Sequence, residues 1–265
     1  MQNEQDFVNE PAGPAAQMQE EKPLAKPWGF WATFGFCCII GVVYLIVSFL
    51  VAFSFIIPAV IANPKLDMKE YGQTLSSSGF YISASITAGA LVIIFWVVLF
   101  SGIKKRITIK EYLSLKNPGA GQFVKWSFVL ILFVVCSDAL TFFLGRPVVP
   151  DFMIKAYTSA GFLPLLWFAV ILAAPISEEL LFRAFLFKGI EYSRLGSVGA
   201  IVITSFVWSI IHLQYDLYGI ASIFVGGLLV GLARFKTKSV YVPIAMHSLM
   251  NLAATVECAV VLSGK

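Results

Sequence analysis

The sequence predicts an all-α protein, a polytopic transmembrane bundle of about seven to eight helices with an intramembrane polar cavity. Three observations lead there. First, 58% of the 265 residues are hydrophobic and 13% are charged, whereas soluble domains carry roughly 25% charged residues. Second, several apolar runs are long enough for the roughly 30 Å of hydrocarbon that a helix must cross, and they lack the alternation of a transmembrane strand. Third, those runs contain a few acids and histidines, each costly at bilayer depth.

The elements follow in chain order. Met1 to Trp28 is polar and rich in Pro, Gln and Glu, and is expected to be a disordered cytoplasmic tail. The next run, Gly29 to Ile61, is too long for the apolar region of a cleavable leader. Spans are expected near Phe30–Ile57, Phe80–Ser101, Phe123–Leu144, Leu165–Phe187, Val198–Leu213, Tyr218–Ala233 and Tyr241–Leu262. The fifth is short, and an eighth element is sought in the first run or near Val148–Gly161. Pro147, Pro150 and Pro164 mark a loop and an irregular helix start before the fourth span. The chain thus divides into a tail (1–28), N-terminal helices with a basic loop (29–161) and a C-terminal helical core (162–262).

Lys104, Lys105, Arg106, Lys110 and Lys116 follow the second span. Lys188 and Arg194 follow the fourth, and Arg234, Lys236 and Lys238 follow the sixth. Because cytoplasmic connections favour Lys and Arg, these connections and the N-terminus are expected in the cytoplasm. The four cysteines lie in apolar segments without C-x-x-C spacing, so no cysteine zinc site can be drawn from them. Gly227 and Gly231 form a GxxxG pattern that suits close helix packing. Asp138 is expected to be a polar core or water-cavity residue.

The chemistry concentrates in the C-terminal core. Glu178 and Glu179 are adjacent, and Glu179 and Arg183 are i,i+4, so these two can pair on one helix face. Glu178 is turned about 100° away and can face a cavity as a general base or acid. Counted from the basic end, Glu178 is roughly 18 Å deep and His212 roughly 21 Å deep, so they can meet across a helical hairpin. His247 is only roughly 9 Å deep by the same rise, and tilt or misplaced ends must close the difference. Trp208 is one turn from His212 and can wall its ring. His247 and Asn251, again i,i+4, offer two donors to a developing oxyanion.

The arrangement Glu178-Glu179-x-x-x-Arg183, Trp208-x-x-x-His212 and His247-x-x-x-Asn251 resembles the CAAX protease and bacteriocin-processing (CPBP) intramembrane endopeptidases. The resemblance spans roughly Phe162 to Leu262. Trp208 departs from the phenylalanine usual at that place. The resemblance implies a membrane protease with a cytoplasm-facing cavity, acting on a peptide or membrane-protein substrate and not on nucleic acid. Glu178 and His212 would position and activate water, while His247 and Asn251 would stabilise the oxyanion. Glu179, Arg183 and Trp208 would support them.

Zinc is a possible cofactor, since His₂Glu sites are known. His212 and His247 lie on different helices without the H-E-x-x-H spacing, however, so a metal-free mechanism is favoured. The compact loops suit a bacterial plasma membrane. The alternatives are a non-catalytic scaffold or bacteriocin-immunity protein of the same fold, and an ion-coupled transporter, which the lack of an inverted repeat disfavours.

Overall fold

The computed structural model describes residues 26–264, and among them every regular element is helical. The first 25 residues of the expected tail lie outside the described residues. Trp28, counted with that tail from sequence, is docked. Its indole N–H donates to the Phe100 carbonyl at 2.8 Å, and the Lys104 ammonium lies 4.3 Å from its ring.

Ten helices follow one another: α1 (Phe30–Ala62), α2 (Met68–Ser76), α3 (Gly79–Gly102), α4 (Ile109–Tyr112), α5 (Ala120–Phe143) and α6 (Asp151–Thr158). Then come α7 (Leu163–Glu191), α8 (Gly196–Ile210), α9 (Leu217–Thr237) and α10 (Tyr241–Ser263). Six of them are long and apolar enough to cross a membrane: α1, α3, α5, α7, α9 and α10. The outer faces are apolar where a soluble protein would be polar. On α1, Val42, Leu45, Phe49 and Phe53 are all exposed, an apolar surface that suits contact with lipid. Helix ends outside the apolar layer use side-chain caps instead: Asp67 for α2, a Thr108–Glu111 capping box for α4, and Asp216 for α9.

Two expectations on span number need correction. Among the described residues no eighth crossing forms, because the first run is one continuous 33-residue helix and the 148–161 region yields only the eight-residue α6, roughly 12 Å long. The fifth span ends three residues early. At 15 residues, α8 covers roughly 22 Å, short of the hydrocarbon thickness.

The buried centre is α7, on which Glu179, Arg183, Ala184, Phe185 and Phe187 have no exposed surface. Two wide π turns, Phe168–Ala173 and Leu180–Leu186, interrupt it. Pro175, which cannot donate a backbone hydrogen bond, directly follows the first of them at α-helical position 2. The α8–α9 pair packs closely through the GxxxG pattern. A Cβ on Gly227 would lie 3.0 Å from Ser205 and 3.1 Å from Trp208, and one on Gly231 would lie 3.2 Å from Ile201.

Long-range contacts define the two ends of the bundle. At the basic end, Lys188 Nζ donates to the Glu111 carbonyl, Lys238 pairs with Glu191, and Arg234 reaches Ser114. At the opposite end, Arg146 pairs with Asp216, Phe152 packs edge-on to Tyr215, and Ser159 accepts from the Gly79 amide.

Candidate active site

α7, α8 and α10 bring the predicted polar residues around one tryptophan. Trp208 is 1% exposed, and its Nε1–H donates to Glu178 Oε2 at 2.6 Å. Its ring stands edge-on to both histidines, with centroids 5.2 Å from His212 and 5.0 Å from His247. The Arg183 guanidinium lies over the same ring, 4.5 Å from its centroid. A phenylalanine at this position could keep the edge-on packing but could not donate to Glu178.

His212 is not on the helix that carries Trp208 but just beyond its end, which differs from the expected span to Leu213. The early end has a physical consequence. Backbone carbonyls of a last turn lack intrahelical partners, and inside a membrane they must find others. The His212 side chain supplies one, its Nδ1 lying 2.7 Å from the Trp208 carbonyl. A carbonyl can only accept, so Nδ1 carries the proton and the Nε2 lone pair is left available.

His247 is 2% exposed, and its Nδ1 lies 3.0 Å from Glu179 Oε1. The same oxygen accepts from Arg183 Nη1 at 3.1 Å. The sequence pairs Glu179 with Arg183 correctly, and the structure adds His247 as a third member. The contact also resolves the depth mismatch, because it requires the helix ends at the basic side to be staggered or tilted by roughly 9 Å. Glu179 Oε2 and Arg183 Nε are buried without a protein partner, so the cluster is costly.

Asn251, one turn along α10, donates from Nδ2 to the Val170 carbonyl at 2.8 Å. Val170 lies in the first π turn of α7, so the wide turn lends its carbonyl to the site.

Trp208, His212, His247 and Asn251 line one cavity of about 360 Å³. Glu178 is not among its wall residues; it sits behind the edge of Trp208, half-buried. Asp138 lines the cavity, and so does Glu257, an intramembrane acid that sequence reading overlooked although its α10 segment is apolar. Asp138 is therefore a cavity-lining residue, as expected, and shares the wall with a second acid. Tyr215, in the α8–α9 connection, was also missed; its hydroxyl contacts Met153 Sδ at 3.9 Å, and burial pushes its pKa up to about 12.

The cavity reaches Val148, Pro150, Gln214 and Tyr215, all in the connections at the end opposite the basic one. A cytoplasmic basic end and a cavity opening to the cytoplasm were both expected, and the structure makes these two expectations incompatible. The depth count already held the reason: roughly 18 and 21 Å from the basic end is past the middle of a 30 Å layer.

Among the described residues no three His, Cys, Asp or Glu side chains converge closely enough to hold a metal ion. Both histidines pack edge-on to the Trp208 ring, and each commits Nδ1 to a protein acceptor while Nε2 stays free.

No curated protein and no solved structure matches the chain. Residues 160–253, about a third of the chain, match the family model described as Type II CAAX prenyl endopeptidase Rce1-like. That segment contains all seven residues of the predicted site, so in this region the chain is similar to the CAAX-type membrane endopeptidases that its three motifs resemble.

Proposed function

We propose that the protein is an intramembrane endopeptidase that hydrolyses a peptide bond with water activated by Glu178. The observation that carries this reading is the Trp208 bridge, which holds Glu178 just behind the wall of the cavity that Trp208, His212, His247 and Asn251 line. A scaffold needs no such set.

In this reading the free oxygen of Glu178 takes a proton from a water that also donates a hydrogen bond to His212 Nε2. The resulting hydroxide attacks the scissile carbonyl carbon, and the carbonyl oxygen becomes an oxyanion. Asn251 keeps one amide N–H beyond its bond to Val170, and His247 offers Nε2. With Nδ1–H committed to Glu179, Nε2 can donate only from the imidazolium form, whose charge the Glu179 carboxylate offsets. Together they stabilise the oxyanion, a contribution of about 10²–10³ in rate for one such donor. Collapse breaks the C–N bond, the proton on Glu178 passes to the leaving amine, and the carboxylate is regenerated. No metal takes part in any of these steps.

With the basic end in the cytoplasm, the N-terminus lies there too and the cavity rim lies toward the opposite face. The substrate is then a peptide or membrane-protein segment reaching the site through the lipid or from that face.

Comparative peptidomics of membranes from cells with the native protein or Glu178→Gln, at matched protein levels, tests the proposal. A product with a new C-terminus, present only with the native form, is expected. Identical peptide sets would overturn it and leave the scaffold.

A further inference from the structure

The basic end holds a second concavity, of about 580 Å³, where α4 and its following turn meet the ends of α7 and α9. Its innermost cation is Arg234, only 2% exposed. The guanidinium donates from Nε to the Arg183 carbonyl at 2.8 Å and from Nη2 to Ser114 Oγ at 2.7 Å. Both acceptors are neutral, and among the described residues no carboxylate lies within ion-pair distance of it. A buried cation without a counter-charge is expensive, so the arrangement wants an anion.

The surrounding charges leave the concavity with an excess of positive charge. Lys110, Lys116, Lys188 and Lys238 line the same concavity, against two acids. Glu111 directs one oxygen, Oε2, to the Thr108 amide and hydroxyl, at 2.9 and 2.8 Å. Glu191 spends one oxygen on Lys238 and Ser197, at 3.2 Å each. Lys188 bonds only a backbone carbonyl, that of Glu111. Five cations therefore face two carboxylates, each with one oxygen engaged by neighbouring groups.

We propose that this concavity is a binding site for a phosphoryl anion, held by Arg234 at its floor and by the lysines at its rim. Guanidinium groups recognise phosphate oxygens directionally, and lysines add unoriented positive charge. The volume exceeds that of a small inorganic ion and admits a phosphate monoester or diester. Its place at the basic end of the bundle puts it where anionic lipid headgroups gather. A lipid headgroup and a free phosphate present the same chemistry to these residues. The bound anion would bridge α4, α7 and α9 and stabilise the folded state by mass action.

The test uses the purified full chain and its thermal midpoint at matched ionic strength. One arm adds inorganic pyrophosphate in detergent. The other compares phosphatidylcholine nanodiscs with and without phosphatidylglycerol. A rise in the first arm alone identifies a free phosphate ligand; a rise in the second identifies a lipid headgroup. Lys110→Gln/Lys116→Gln/Lys238→Gln changes only exposed side chains and should keep the ligand-free midpoint while weakening apparent affinity at least tenfold. Arg234→Gln should do the same if it folds, and the lysine variant decides the matter if it does not. No rise in either arm, or a rise that the lysine substitutions leave intact, overturns the proposal. None of these outcomes depends on peptidase activity.

Discussion

The indole N–H of Trp208 donates to Glu178 Oε2 at 2.6 Å, while the backbone carbonyl of the same residue holds His212 Nδ1 at 2.7 Å. One residue thus orients both members of the proposed water-activating pair, one through its side chain and the other through its main chain. The two roles separate on mutation, because substitution removes the first and keeps the second.

Trp208→Phe is expected to lower kcat by roughly tenfold to a hundredfold, the worth of about 1.5–3 kcal/mol for a hydrogen bond to a charged group. KM should change little, since the edge-on packing against His212 and His247 survives. Steady-state kinetics on a cleaved peptide checks this, with circular dichroism to establish an unaltered fold. A change in KM alone would place Trp208 in substrate binding instead.

Arg183→Met should destabilise the protein by about 3–5 kcal/mol, because Glu179 would be left buried with only His247 as partner. Replacing Glu179 and Arg183 together by apolar residues should cost less than the sum of the single substitutions, since neither charge is then stranded. Denaturation midpoints of the two single variants and the double variant measure the coupling. Additive costs would show that the pair is not a unit.

The α9 start is expected to be sensitive to acid. The Gly219 amide and then the Arg146 side chain hold the Asp216 carboxyl below its ordinary value of 3.8. A depressed value means the cap is fully present above pH 3.8 and is lost as pH falls through the lower folded-state value. Hydrogen exchange at Gly219 and Ile220 should therefore show steady protection from neutral pH down to about 4 and a loss below it. Asp216→Asn should cap at every pH and abolish the dependence. Persistence of the pH step in that variant would assign it to another group.

Sidedness can be read with impermeant thiol labels in a background lacking the four native cysteines. Lys110→Cys, at the basic end, should label only from the cytoplasm, and Gln214→Cys, at the cavity rim, only from the other face. Labelling of both from one face would refute the opposed ends.

Much of this architecture was legible in the sequence. The apolar runs located the long helices, and i,i+4 spacing paired Glu179 with Arg183. GxxxG spacing foretold the tight α8–α9 contact, and the order of the three motifs gathered the residues that meet around Trp208. What escaped was tertiary. The end of α8 at Ile210 has no proline or glycine to announce it; a histidine side chain replaces the missing backbone partner. The Glu179–His247 contact depends on helix stagger, which hydropathy does not encode. Glu257 went unnoticed beside the motif residues, although an isolated acid in an apolar segment was signal enough. The reach of the cavity toward the end opposite the basic one was missed because depth was counted from one end and not compared with membrane thickness.

Peptidomics would supply a cleavage site, and a synthetic peptide spanning it allows the most direct measurement, the cleavage rate of purified native protein against Glu178→Gln at equal folded fraction. Loss of the general base should slow hydrolysis by about 10²–10⁴-fold. An unchanged rate would show that the water is activated elsewhere and would contradict the account.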